Sequence, residues 1–220
     1  MGIQLSVFSW VPPFAQGLVR DLRVRWALEE AGLDYEERLL GLGDNASEAY
    51  LRLQPFGQVP AYRENDLTLF ESGAIVLHIA ERCEVLLPSD PKLRSRATTW
   101  MFAALNTVEP PTLFLNQLQQ MNSADAVSLQ RPVEDAVRRR LNGVAHCLRD
   151  RDYLENTFSA GDLLMATVLR ILRTTELVSA IPTLQAYLTR CETRPAFQRA
   201  LASQMKTFRD HEPAQQNAAS

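Results

Sequence analysis

Gln58-Val59-Pro60 stands immediately ahead of a strand-like run, and Glu71-Ser72 follows one hairpin later at the start of a helical pattern. Proline at the head of a strand donates no ladder hydrogen bond, and an Xaa-Pro bond becomes cis at low cost. A cis Val59-Pro60 bond turns the Val59 backbone outward, where its N–H and C=O can pair with an extended peptide. A helix start at Ser72 presents unsatisfied N–H groups and a positive dipole end to a carboxylate, and the hydroxyl adds a donor. Glu71, an acceptor-only anion, suits an ammonium group beside that carboxylate. Together these residues form a receptor for an α-amino acid headgroup on a peptide-like ligand. Taken alone, Ser72 fits an N-cap equally well, a role worth about 1 kcal/mol to the helix.

The elements that must hold these groups follow from pattern. Ile3 to Phe8 is an apolar, strand-length run, and Ser9-Trp10-Val11-Pro12-Pro13 forces an extended loop after it. Val19, Leu22 and Trp26 recur at helical spacing, with Gly32 as the stop. Tyr35 to Leu40 makes a second strand and Ala46 to Leu53 a short helix that must end before Pro55. Ala61-Tyr62-Arg63 and Leu67 to Phe70 flank the turn Glu64-Asn65-Asp66, and a helix from Ser72 runs out near Leu86.

Beyond the proline-bracketed segment 88–91 the periodicity is helical throughout, as at Val133, Val137, Leu141, Val144 and Leu148. Pro110-Pro111 interrupt what is otherwise one helix from about Lys92 to Gln120 and must kink or restart it. Phe158-Ser159-Ala160-Gly161-Asp162-Leu163 spells a capping box with a hydrophobic staple, and Leu164, Val168 and Ile171 form the buried stripe after it. The expected layout is a βαβαββα unit over residues 1–87, a linker at 88–91, an all-helical unit over 92–210 and a flexible tail at 211–220.

The 220 residues carry a formal charge of −3 with acids and bases interspersed, which argues against a nucleic-acid partner. No run of apolar residues is long enough to span a membrane, and the start reads as a strand rather than a secretory signal or a myristoylation site. Cys83, Cys147 and Cys191 are widely spaced, as expected of small buried hydrophobes in a reducing, cytoplasmic setting. His78, His146 and His211 are too scattered for a metal site, and Arg138-Arg139-Arg140 fit a solvated helix face.

Pro55-Phe56-Gly57-Gln58-Val59-Pro60 followed by Leu69-Phe70-Glu71-Ser72-Gly73-Ala74-Ile75 resembles the glutathione-binding segment of cytosolic glutathione transferases, of bacterial type. Val24 to Leu33 resembles that family's first helix, and the Ser159 capping box resembles the one opening its long buried helix. The resemblance implies an α/β plus all-α fold, with a thioredoxin-like N-terminal domain and a helical-bundle C-terminal domain. It implies a homodimer, with glutathione as co-substrate. It also implies that Val59 bonds the cysteinyl backbone, that Pro60 is cis, and that Glu71 and Ser72 hold the γ-glutamyl end beside Gln58.

One expected feature is missing. The family activates the thiol with a Tyr, Ser or Cys near the start of the first helix, and counting back from Val24 places the usual serine at Leu18, which has no polar group. The candidates left are the Ser9 hydroxyl, the Trp10 indole N–H, the Gln16 amide and backbone N–H groups opening the helix, with Trp10 also readable as an aromatic lid or core residue. One or two hydrogen bonds to an anion, at roughly 1.5–3 kcal/mol each, suffice to lower a thiol pKa by about two units. A hydrophobic electrophile is expected against Trp100, Asn106 and Phe114 on the broken helix. Two alternatives to transfer are a glutathione-binding scaffold without catalysis and a glutathione-dependent reductase or isomerase; the lack of a first-loop cysteine speaks against a mixed-disulfide mechanism.

Overall fold

In the computed structural model of the chain, residues 2–121 and 123–213 are described. Strand β1 (Ile3–Phe8) buries Ile3, Leu5 and Val7, and helix α1 (Asp21–Ala31) crosses over to β2 (Tyr35–Leu40), which pairs parallel to β1. Gly32 ends α1 at φ 65°, a left-handed conformation that glycine adopts without Cβ cost. Strands β3 (Ala61–Glu64) and β4 (Leu67–Phe70) add antiparallel, giving the order β2-β1-β3-β4. This four-stranded mixed sheet is thioredoxin-like. The hairpin loop is tighter than expected: Glu64 belongs to β3, and only Asn65 (φ 55°) and Asp66 turn the chain.

The expected helix over 46–53 is divided, because Ser47 caps a fresh start. A 3-10 turn (Asp44–Ala46) precedes α2 (Glu48–Leu51), whose Tyr50 N–H donates to Ser47 Oγ. Helix α3 (Ser72–Ala80) stops well short of Leu86. The chain turns there through 3-10 type bonds so that Leu86 and Leu87 bury, and Leu86 O accepts from Ala160 N–H at 2.8 Å.

The remaining elements are α4 (Pro91–Phe102), α5 (Glu109–Gln119), α6 (Ala124–Leu148), α7 (Ala160–Leu169), α8 (Pro182–Glu192) and α9 (Pro195–Asp210). The break between α4 and α5 lies upstream of the prolines, in a π-helical stretch at Ala103–Val108, and Pro110-Pro111 sit in the first turn of α5. Neither proline can donate to a carbonyl four residues back, and its ring crowds that carbonyl. The backbone widens there instead, with Glu109 N–H reaching Ala104 O.

Helix α7 is buried on all sides, not along one stripe, and Ile171 lies past its end in a 3-10 turn (Arg170–Leu172). A Cβ on Gly161 would come within 2.6 Å of Trp100 Cβ and 3.1 Å of Ala97 O, so α4 and α7 pack in contact only because that residue is glycine. Trp26 of α1 joins the two halves of the core, edge-on to Phe197 at 4.8 Å and tilted on Phe158 at 5.6 Å. Of the cysteines only Cys191 is fully buried. Arg138, Arg139 and Arg140 are exposed, between buried Val137 and Leu141. Of the tail expected to be flexible, 214–220 lies outside the described residues. His211 and Pro213 instead line a cavity considered below.

The capping box forms as expected and carries more than its helix. Asp162 accepts from Ser159 N–H (2.9 Å), Ser159 Oγ (3.0 Å), Leu154 N–H (2.9 Å) and Tyr187 OH (3.0 Å) while fully buried. Burial pushes its pKa from 3.8 up to about 6, outweighing the hydrogen bonds that favour the charge. The folded state therefore holds the proton more tightly than the unfolded chain, and this contribution to stability is lost as pH rises through about 6. Urea unfolding at pH 5 and pH 7.5 should show wild type losing about 1–2 kcal/mol relative to Asp162→Asn on going to the higher pH. An unchanged difference would place the titration below pH 5.

Candidate functional site

Ala61 pairs with both Ser6 and Phe70, so the sheet brings the end of β1, the start of β3 and the end of β4 to one edge. Gln58, Val59, Pro60, Glu71 and Ser72 meet there. The Pro55–Pro60 loop is held from beneath: Tyr50 OH donates to Gln58 O, Asn45 Nδ2 to Gly57 O, and Phe56 N–H to Gln54 Oε1, each at 2.6 Å. Gly57 sits at φ 62°, where a Cβ would lie 2.9 Å from Asn45 O. The Val59-Pro60 bond is cis, as expected. Among the described residues nothing in the chain pairs with the Val59 N–H or C=O.

Glu71 is exposed, at φ 68° and ψ 112°, a costly conformation for a residue with a side chain and one that clusters at functional sites. It occupies the N-cap position without a side-chain cap bond, and Ser72 is the first residue of α3, so the N-cap role considered for Ser72 is not taken up. The Ser72 hydroxyl is buried and accepts from Arg23 Nη1 at 3.2 Å. Because that oxygen accepts from a permanently charged guanidinium, its own proton is left to donate.

Arg23 is one of three charged groups under this edge. Its Nε donates to Thr167 Oγ1 at 3.1 Å, and its Nη2 lies 3.0 Å from Glu109 Oε1. The same carboxylate oxygen receives Arg20 Nη2 at 2.9 Å and Nε at 3.1 Å. Burial alone would raise the Glu109 pKa; the two guanidinium groups reverse that and hold it below the usual carboxylate range. Glu109 is thus a buried anion facing two cations. Arg20, Arg23 and Glu109 line a cavity of about 260 Å³ together with Phe14, Leu18 and Leu113.

The three thiol-activation candidates are not brought together. Ser9 and Trp10 line a separate cavity of about 520 Å³ on the β2 side, with Val11, Leu42 and His211. The Trp10 indole N–H is buried without a partner. Gln16 is held within the loop, its side-chain Nε2 donating to Val11 O at 3.1 Å and its backbone carbonyl accepting from Arg173 Nη1 at 2.9 Å. Trp100, Asn106 and Phe114 are not brought together either. The Trp100 indole N–H is spent on Glu155, Asn106 lines a 310 Å³ hollow with Glu71 and Gly73, and Phe114 lies on the outer surface of α5.

Sequence reasoning missed Arg20, Arg23, Glu109 and the arginines that hold the first loop. Arg173 donates to Phe14 O and Gln16 O, both at 2.9 Å, and Arg170 Nη2 to Gly17 O at 3.3 Å. The available signal was Arg20 at the N-cap of α1 and Arg23 in its first turn, at i, i+3; the carboxylate they share, Glu109, lies more than 80 residues away.

A family model for the N-terminal domain of glutathione S-transferase matches residues 4–81. A glutathione S-transferase of Hyoscyamus muticus is 30% identical over 82% of this chain and 92% of its own, and glutathione S-transferase 4 of Zea mays is 31% identical over 87% and 89%. The crystal structure of a glutathione transferase from Burkholderia graminis, with two glutathione molecules bound per subunit, superposes with a TM-score of 0.80 at 25% identity, covering 92% of this chain and 88% of that one. The chain belongs to the glutathione S-transferase family.

The loop clamp yields a direct test. Arg173→Ala should loosen the turns at Ala15 and Leu18, whose N–H groups donate to Pro12 O and Ala15 O. Hydrogen exchange of a peptide spanning 11–20 is expected to speed up at least several-fold, with exchange in α7 unchanged. Equal protection in both proteins would mean that the turn holds itself.

Proposed function

We propose that this protein is a glutathione transferase that joins the glutathione thiolate to a hydrophobic electrophile. The observation that carries the reading is the unpaired Val59 backbone placed on one edge with Glu71 and Ser72. In this reading Val59 N–H and C=O pair with the cysteinyl backbone, Glu71 takes the γ-glutamyl ammonium, and Ser72 Oγ–H with the first N–H groups of α3 takes its carboxylate. Gln58, whose carbonyl is fixed by Tyr50, presents its side chain outward beside them. The thiolate attacks the electrophilic carbon and forms a thioether; in a substitution the carbon's bond to the leaving group breaks and that group departs with the electron pair, and in an addition the π bond breaks and its electron pair takes up a proton from solvent.

This reading puts the electrophile in the cavity lined by Phe14, Leu18 and Leu113, beside the Arg23 that bonds Ser72. A homodimer fits the exposed aromatic groups on the opposite flank. Phe56 packs edge-on to Phe70 at 6.1 Å and is 67% exposed, and Phe102 is 60% exposed beside the hollow lined by Gly73, Leu77 and Leu105.

A second reading, a glutathione-binding protein without turnover, draws on one observation: Leu18 offers no hydroxyl where the family resemblance calls for one. Rates with a panel of generic electrophiles decide between the two. Tight glutathione binding with no rate above the uncatalysed reaction would leave only the binding role.

Ser72→Ala should weaken glutathione binding five- to thirty-fold by calorimetry, corresponding to about 1–2 kcal/mol for a hydrogen bond to a charged group. Unchanged affinity in the folded variant would remove Ser72 from the γ-glutamyl site.

A further inference from the structure

Activating a thiol at neutral pH takes a neighbouring group that prefers the anion, and the three side chains considered for that task are poorly placed for it. The Gln16 amide is already bonded within its own loop, and Ser9 and Trp10 face the β2 side. Leu18 itself is apolar, yet the cavity it lines is the one that holds Arg20, Arg23 and Glu109.

Charge balance singles out one of these residues. Two guanidinium groups meet one carboxylate oxygen, so the cluster carries a net positive charge. Arg23 is buried and fully committed, with Nε on Thr167, Nη1 on Ser72 and Nη2 on Glu109. The Arg20 side chain is 37% exposed, and both of its bonds go to the single oxygen Glu109 Oε1, which leaves Nη1 without a partner among the described residues. Its surplus charge faces the cavity.

Position agrees with this. From Ser72 Oγ the contacts run 3.2 Å to Arg23, 3.0 Å from Arg23 to Glu109 and 2.9 Å from Glu109 to Arg20. The path runs to about 9 Å before the width of the Arg23 guanidinium is counted, longer than the roughly 7 Å reach of two extended residues, so a γ-glutamyl group anchored at Ser72 brings its cysteinyl sulfur toward the Arg20 charge along the direct line, which is shorter than the bent path. We propose that the Arg20 guanidinium stabilises the glutathione thiolate, in the place where other members of the family use a hydroxyl or a thiol. The assignment rests on the glutathione reading given above. A guanidinium is always charged and needs no base of its own, so the thiol proton leaves to solvent and the anion stays beside Arg20.

The other charges around Arg20 do not cancel this effect. Glu109 is shared with Arg23, and Glu71 is matched by the ligand ammonium. Arg170 pairs with Glu192 and reaches Gly17 O, while Arg173 is engaged by the carbonyls of Phe14 and Gln16.

The test follows thiolate absorbance near 240 nm against pH for glutathione bound to wild type, Arg20→Gln and Arg20→Lys, with calorimetry at pH 5.5 to measure occupancy. Glu109 keeps Arg23 as a partner in both variants, and thermal melts verify that each is folded. In wild type the bound thiol should titrate near 6.5, about two units below the free value of about 8.5. Arg20→Gln should return it to within about half a unit of the free value with affinity at pH 5.5 changed less than threefold, and Arg20→Lys should restore most of the shift. A thiol that titrates alike in wild type and Arg20→Gln overturns the proposal. So does a more than tenfold loss of affinity at pH 5.5 with the shift intact, which would make Arg20 a carboxylate ligand. Wild type that binds glutathione with an unshifted thiol overturns this proposal alone, whereas wild type that binds no glutathione overturns the glutathione reading and this proposal together.

Discussion

Helix α1 is buried from Asp21 to Leu28, and within that stretch the chain carries two arginines into the interior. A guanidinium does not give up its proton, and a buried charge left without a partner costs roughly 3–5 kcal/mol. Each arginine must therefore find anions or oxygen acceptors inside the protein, and three of these, Glu109, Thr167 and Ser203, come from the C-terminal helices. Arg25 is held by Asp21 and Glu37, with Ser203 of α9 as a further acceptor, while Gln204 and Thr207 of α9 bond those same two carboxylates. Arg23 takes Thr167 of α7 and Glu109 of α5. The sheet-bearing half and the helical half thus settle against each other along one helix, with Trp26 as its apolar counterpart between Phe158 and Phe197.

The ligand-facing edge depends on the same two requirements. Satisfying Arg23 uses the Ser72 oxygen as an acceptor, which directs the hydroxyl proton away from Arg23. Satisfying Glu109 draws in a second arginine, and the cavity beside Leu18 gains a cation. The first loop, with prolines that cannot supply ladder hydrogen bonds, relies on Arg170 and Arg173 from beyond α7 to bind its carbonyls. Two sets of contacts thus meet beside Val59: the loop and the hairpin shape the sheet edge, while the charge in the cavity beside Leu18 is set by Arg20, Arg23 and Glu109 of α5.

Several features were legible from residues alone because the physics behind them is local. Pro60 at the head of β3, Gly32 after α1 and the Ser159–Asp162 capping box each depend on neighbours within a few residues. The π-helical stretch at Ala103–Val108 was not legible, because the prolines mark only the point beyond which an α-helix cannot run back, and the backbone relieved the conflict a turn earlier.

By itself the sequence determined the strand and helix order, the gathering of Val59, Glu71 and Ser72 at one sheet edge, and the absence of a hydroxyl at Leu18, all carried by spacing and by the conformational limits of proline, glycine and capping residues. Only the tertiary structure decided what Arg20, Arg23, Glu109, Arg170 and Arg173 are for. An arginine in a helix pattern has the same appearance whether it faces water or the interior, and the carboxylates and carbonyls that give these five their roles come from elements far along the chain, brought near by burial of the apolar faces around them.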